Sequence, residues 1–283
     1  MAGRDSLPKL DAGGGESGRA VKTRILIALC ATGASPCAFA QESADTLAKQ
    51  LSNPVASLIS VPLQVNYDAG YGEQDGYRIT LNVQPVIPTS LNEKWNLITR
   101  VIVPVLYQDD VIAGSSQSGL GDTTPTFFFS PQPAPGGLIW GAGPVFLLPT
   151  ATDELLGAKK WGAGPSVLIL KQTESGWTSG ALVNHIESFA GAGDRADISN
   201  TFLQPFVAKQ FKGGRTFTVN SESTYDWENE QWTVPINLMY SKVTKIGGQM
   251  ISFAGGGRWY ADKPEGGPDW GARFVVTFLF PEH

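Results

Sequence analysis

From about residue 61 onward, apolar and polar side chains take turns along the chain instead of recurring at helical spacing. Tyr77, Ile79, Leu81 and Val83 alternate with Arg78, Thr80, Asn82 and Gln84. Trp95, Leu97, Thr99, Val101 and Val103 oppose Asn96, Ile98, Arg100 and Ile102, while Trp232, Val234, Ile236 and Leu238 oppose Thr233, Pro235 and Asn237. Successive side chains of an extended strand point to opposite faces, so each stretch reads as a strand with two unlike sides. About twelve such segments, separated by turn signals, run approximately over 61–71, 77–89, 94–107, 119–130, 138–149, 161–172, 177–190, 197–211, 215–227, 230–242, 249–260 and 270–280. Those at 177–190 and 197–211 alternate too weakly for their faces to be assigned. One helix is expected before them, in 41–60: Ser43 or Asp45 can cap it, Leu47 and Leu51 sit one turn apart, and Asn53-Pro54 interrupts it. It reads as a short periplasmic helix or, in the sharper and less favoured version, as a plug inside a pore.

The last segment poses the question of which side faces what. Ala272, Phe274, Val276, Phe278 and Phe280 make one face, and Gly271, Arg273, Val275, Thr277 and Leu279 the other. An even number of strands, longer connections after odd-numbered strands ("DDVIAGSSQS", "ATDELLGAKK", "GAGDRA", "DKPEGGPD") and short ones after even-numbered strands ("TESG", "KGG") match a transmembrane barrel. The eight tryptophans fall at segment ends. Trp95, Trp140 and Trp177 would lie at one rim and Trp161, Trp227, Trp232, Trp259 and Trp270 at the other. An indole has an apolar body and one N–H donor, which suits a membrane interface. The expected fold is therefore an all-β, antiparallel, up-and-down barrel over residues 61–283 with its apolar face on lipid. Charge inside lipid is costly, so Arg78, Arg100, Arg258 and Arg273 are expected in the lumen, where Glu222 and Asp226 can pair with them. Pro85, Pro104, Pro144, Pro165, Pro205 and Pro235 run against this fold, because each removes a ladder donor.

Residues 1–40 read as a presequence. Arg19, Lys22 and Arg24 precede the apolar run Ile25–Ala34, and Ala38-Phe39-Ala40 offers a cleavage site, with an alternative translation start near Val21. That run is about half the ~20 residues a spanning helix needs. Both cysteines, Cys30 and Cys37, fall within residues 1–40. The presequence holds five of the 21 basic and three of the 26 acidic residues, leaving the remainder with a net charge of −7. No basic stripe points to nucleic acid.

No metal motif is present, and no cofactor is expected. A hydrolase would need a nucleophile and a base. His185 shares a face with Glu187 while Ser188 points away, and His283 is C-terminal. No catalytic residue is assigned. The expected function is passage of small solutes through a narrow lumen, with a structural or adhesive barrel as the alternative and a lipid hydrolase behind both.

Several stretches also resemble a known family. "LSNPVASLISVPLQ", "LNVQPVIPTSLNEKWNLITRVIVPVLYQDD", "SGLGDTTPTFFFSP", "GPVFLLPTATDELLGAKKWGAGP", "TFLQPF", "SESTYDWENEQWTVPINL" and "GGPDWGARFVVTFLFP" together cover nearly all of the chain after residue 40. They are similar to the proteobacterial outer-membrane proteins grouped under the meta-pathway of phenol degradation, also labelled transporters or, misleadingly, neuromedin U. The resemblance implies a barrel in the outer membrane, built there by the barrel-assembly machinery, that moves small hydrophobic or aromatic solutes. It supplies no catalytic residues. The chain departs from the usual aromatic terminus of such barrels, since Pro281, Glu282 and His283 follow Phe280.

Overall fold

The structure, a computed structural model, describes residues 43–132 and 137–281. The presequence expected over residues 1–40 lies outside them, as does His283. A short helix, α1 (Ala44–Leu51), precedes twelve barrel strands. These are β1 (Ile59–Tyr71), β2 (Gly76–Val83, resumed at Val86–Asn92), β3 (Trp95–Ile112), β4 (Ser115–Leu120, resumed at Thr124–Pro131), β5 (Ile139–Leu147) and β6 (Lys160–Gln172). There follow β7 (Trp177–Gly191), β8 (Ser199–Phe211), β9 (Arg215–Ser221, resumed at Ser223–Asp226), β10 (Gln231–Ile246), β11 (Gln249–Asp262) and β12 (Trp270–Phe280). Each strand pairs antiparallel with its sequence neighbours. β12 returns to β1, from Ile59 opposite Phe280 to Ala69 opposite Trp270, so the sheet closes and leaves no edge.

All twelve strands fall on the segments expected from alternation, with one change in a connection. "DDVIAGSSQS" is mostly strand: β3 extends to Ile112, and Ser115 opposite Ile112 leaves only Ala113-Gly114 as the turn. Asp110 adopts a positive φ of 52° in the bulge beside this turn, and its Oδ1 accepts from Gly114 N. The hairpin thus grows by twisting instead of opening into a loop.

The wall is inverted relative to a water-soluble protein. Along β12, Arg273 is 6% exposed and its neighbour Phe274 is 50% exposed. Asn66, Gln108, Ser166 and Asn237 are buried, while the adjacent Val65, Tyr107, Val167 and Leu238 are exposed. β7 and β8, whose faces alternation leaves open, turn Leu182, Phe202 and Phe206 inward and Val183 and Val207 outward. Their inner face mixes these apolar residues with Thr178 and Gln204, which blurs the polar half of the pattern.

What those inward apolar residues meet is the N-terminal segment. Ser43 caps α1, its Oγ accepting from Thr46 N (3.1 Å). Asp45 takes another role, with its Oδ1 accepting from Gly214 N in the β8–β9 turn (2.6 Å). Leu47 and Ala48 pack on Val243, Met250 and Leu279 of β10–β12. After the bend at Asn53-Pro54, Val55 reaches the other side and packs on Ile98, Phe128, Leu168 and Leu182. Gln172 Nε2 donates to Lys49 O (2.9 Å) and Asn96 Nδ2 to Ser57 Oγ (3.4 Å). The segment therefore touches both halves of the wall at the end where the connections are short.

The six strand prolines now have a structural account. Pro85 occupies the gap in β2. Pro104 lies beside the break in β4 and its carbonyl accepts from Gly121 N (2.9 Å). Pro144 and Pro165 face each other across β5 and β6, where the pairing of β4 with β5 and of β6 with β7 also lapses. Pro205 adjoins the break in β9, and Pro235 marks the register shift between β10 and β11. Each sits where the ladder is already interrupted, so the missing donor leaves little unpaired. Gly143 belongs to the same thin region, and a Cβ there would overlap the Phe127 carbonyl oxygen. Gly143→Ala is expected to lower barrel stability by about 1–3 kcal/mol, read as a lower denaturant midpoint. Unchanged stability would show that β4 and β5 are not held this close.

Candidate functional site

The functional candidate is the lumen, whose centre holds a network of ionised side chains from strands far apart in the sheet. Arg273 on β12 donates from Nη1 to Glu222 Oε1 (2.7 Å) and from Nη2 to Glu222 Oε2 (2.6 Å). Glu222 comes from β9, three strands away around the wall, so this fork-to-fork contact crosses the interior. Arg258 on β11 donates from Nη2 to Glu222 Oε2 (2.8 Å), from Nε to Asn237 Oδ1 (2.8 Å), and from Nη1 to Asp68 Oδ1 (3.2 Å). The Tyr260 hydroxyl donates to Asp68 Oδ1 (2.8 Å), and Arg273 Nε donates to Asn66 Oδ1 (2.7 Å). Asn237, wholly buried, passes the chain on to Asn220 Oδ1 (2.7 Å).

Local backbone explains why Glu222 can reach so far. It occupies the break in β9, where Ser221 and Ser223 hydroxyls meet at 2.7 Å and Pro235 O accepts from Ser221 Oγ. Freed from the ladder on one side, residue 222 carries its carboxylate into the centre. Burial makes unpaired charge expensive, and here two guanidiniums and an amide surround one carboxylate.

Of the six expected lumen residues, Glu222, Arg258 and Arg273 are thus in direct contact. Arg100 lies lower and donates from Nη2 to Gln84 Oε1 (2.9 Å). Arg78 lies nearer the far mouth, where its Nε donates to Gln108 Oε1 (2.8 Å) and its guanidinium sits 5.2 Å from the Tyr71 ring centroid. Asp226 stays out of the network. Its Oδ1 accepts from Glu228 N and Asn229 N, closing the β9–β10 turn. The ion pairing of Asp226 expected from its strand face is corrected accordingly: an aspartate at a strand end binds the turn amides within its reach.

Sequence reading missed Asp68, Asn66, Asn237 and Tyr260. The alternation in "VNYDAGY" places Asn66 and Asp68 on one face and Val65 and Tyr67 on the other, which was the available signal.

All eight tryptophans are exposed and lie near the two rims. Trp95 and Trp140 pack edge-to-face (5.8 Å between centroids) at the helix end, where Lys209 also stands 4.9 Å from the Trp177 ring. At the opposite mouth Tyr225 packs against Trp227 and Trp232, and Tyr67 against Trp270; Trp161 and Trp259 lie near this mouth too. Loops there interlock. Asp122 accepts from Ala151 N and Ala158 N, and Arg195 donates to the carbonyls of Glu154 and Gly157. Lys160 donates to Asp197 Oδ1 (2.8 Å) and holds that carboxyl below the ordinary aspartate range.

His185 pairs outside the lumen, with Nδ1 3.0 Å from Thr201 Oγ1 and Nε2 3.3 Å from Glu187 Oε2. Ser188 points away, toward Asp197 and Ile198 N. No group of three or more His, Cys, Asp or Glu poised for a metal occurs among the described residues.

No family model and no curated protein matches the chain. Among solved structures it is similar to an outer membrane channel from Pseudomonas putida F1, with 13% identity and a TM-score of 0.62 over 79% of this chain and 96% of that one. The monoaromatic hydrocarbon channel CymD (8% identity, 85% of this chain and 91% of that one, TM-score 0.44) also aligns. So does outer membrane phospholipase A from Escherichia coli (9% identity, 85% and 99%, TM-score 0.45). At these TM-scores the latter two add nothing about function. The chain has the fold of an outer-membrane β-barrel.

Proposed function

We propose that this chain spans the outer membrane of a Gram-negative bacterium as a channel for small solutes, hydrophobic or aromatic ones among them, without covalent chemistry. Export would use the N-terminal presequence, and insertion the barrel-assembly machinery. One observation carries the reading. The wall is apolar where it faces out and ionised where it faces in, which suits hydrocarbon outside and water or polar solute within. The two aromatic rims support the same placement, since indoles favour headgroup depth. A twelve-stranded cylinder is wider than the side-chain-filled eight-stranded barrels and narrower than the water-filled porins. The segment 44–58 acts as a plug across its inner end, and the central network narrows it further.

Those two obstructions also favour a second reading, a structural barrel that conducts nothing. Liposome swelling with purified protein against sugars, amino acids and aromatic acids separates the two. Swelling is expected with at least one class, and none with any would leave the structural reading. The lipid contact has its own check. Phe274→Arg places a guanidinium on the outer face and is expected to cost about 2–4 kcal/mol of stability in bilayers. An effect near zero would mean that this face meets water.

A further inference from the structure

The charges at the centre of the lumen do not balance. Arg258 and Arg273 share Glu222 and Asp68 in ion pairs. Arg100 turns toward the same interior, and among the described residues no carboxylate lies within ion-pair distance of it. It donates instead to the neutral Gln84. With Arg78, which likewise bonds a glutamine, four lumen guanidiniums stand against Asp68 and Glu222, and Arg100 is the uncompensated one on the plug side. A guanidinium offers five donors in a planar fork that matches a carboxylate, and one of them is engaged by Gln84.

Arg100 is also in the wall of a cavity. A space of about 200 Å³ lies between the plug segment and β1–β3, its lining half polar, with Leu51, Pro54, Leu58 and Val86 making its apolar side and Gln84 beside Arg100. A second space of about 200 Å³ on the β8–β10 side shares Leu51, Pro54 and Gln204 with it. Gln204 in turn donates to Glu222 (3.4 Å), so the cavity sits directly beneath the ionic network. About 150 Å³ is enough to hold a benzene-sized body, and here the apolar side of the lining is where such a body would lie. One cation at the edge of such a space selects a ligand with a single negative group and an apolar body, because a dianion would leave one charge unpaired and a neutral solute would leave the guanidinium unpaired.

We propose that this cavity binds a small organic monocarboxylate, its carboxylate held by Arg100 and its apolar body laid against Leu51, Pro54, Leu58 and Val86. The site deepens the channel reading and rests on it, naming a solute class that pauses between the ionic network and the plug.

Equilibrium dialysis of radiolabelled benzoate and of benzyl alcohol against the purified full chain in detergent tests it. Benzoate is expected to bind and benzyl alcohol to bind more weakly. Arg100→Gln is expected to weaken benzoate by about tenfold or more while leaving benzyl alcohol unchanged. Ala56→Trp, which fills the cavity from the plug side and leaves Arg100 in place, is expected to abolish binding of both, and it keeps the test open should Arg100→Gln fail to fold. Equal binding of the two ligands, no benzoate binding, or full binding by either folded variant would overturn the proposal. Swelling without benzoate binding defeats the site and spares the channel; Arg100-dependent binding without swelling does the reverse.

Discussion

Glu222→Gln destabilises the barrel by about 3–5 kcal/mol, read as a fall in the denaturant midpoint of the purified protein refolded into liposomes. The expectation follows from what the substitution leaves behind. Glu222 is the carboxylate that Arg273 grips at both oxygens and that Arg258 touches at 2.8 Å. An amide keeps the shape but presents one acceptor and one NH₂ group, so at least one guanidinium N–H would point at another donor. Asp68 still neutralises Arg258 in part, but Arg273 retains only the neutral Asn66. A second substitution isolates the charge: Arg273→Gln placed on Glu222→Gln should recover part of the loss, because it removes a stranded cation. Loss below about 1 kcal/mol for Glu222→Gln alone would mean that water, and not Glu222, solvates the two arginines.

Leu47→Asp opens the lumen. Leu47 is 0% exposed, wedged by α1 against Val243, Met250 and Leu279. A carboxylate in that wedge has no cation within the cluster, and burying an unpaired charge costs several kcal/mol. The helix can escape that cost by leaving, since its hold on the wall is mostly apolar, with polar contacts such as Asp45 to Gly214 N and Lys49 O to Gln172. The twelve strands need not change. The expected result is a several-fold rise in swelling rate for solutes that the unaltered protein admits slowly, with barrel stability nearly preserved. Unchanged permeation together with reduced stability would show that α1 braces the wall without obstructing passage.

How much of this was legible in the sequence depended on where the two faces differ. Strands β3, β10 and β12 set Asn96, Asn237 and Arg273 against tryptophan, leucine and phenylalanine, and period-two alternation gives both strand and facing. Strands β7 and β8 did not reveal their facing because Leu182, Phe202 and Phe206 point inward to meet Val55 while His185 and Glu187 point outward, so both faces are mixed. The plug contact and the unreadable facing share one cause. The proximity of Glu222 to two arginines was open to a charge-placement argument, but its geometry depends on a break in β9 that nothing in "NSESTYD" announces. Asp226 shows the limit of face assignment, since a residue on the correct face but at the mouth is taken by its own turn. The prolines counted against a closed sheet only while each was weighed alone; opposed as Pro144 and Pro165 are, they share one interruption.

That opposition has a mechanical consequence. Elsewhere around the cylinder the interruptions, at the breaks in β2, β4 and β9 and at the β10–β11 register shift, lie between runs of paired residues that tie each strand to its neighbours. Between β4 and β7 two facing rings supply no N–H, and the flanking ladders lapse at the same height. Under lateral pressure or thermal breathing, strain would concentrate in that sector, and an ovalising cylinder would flex along this line before any other.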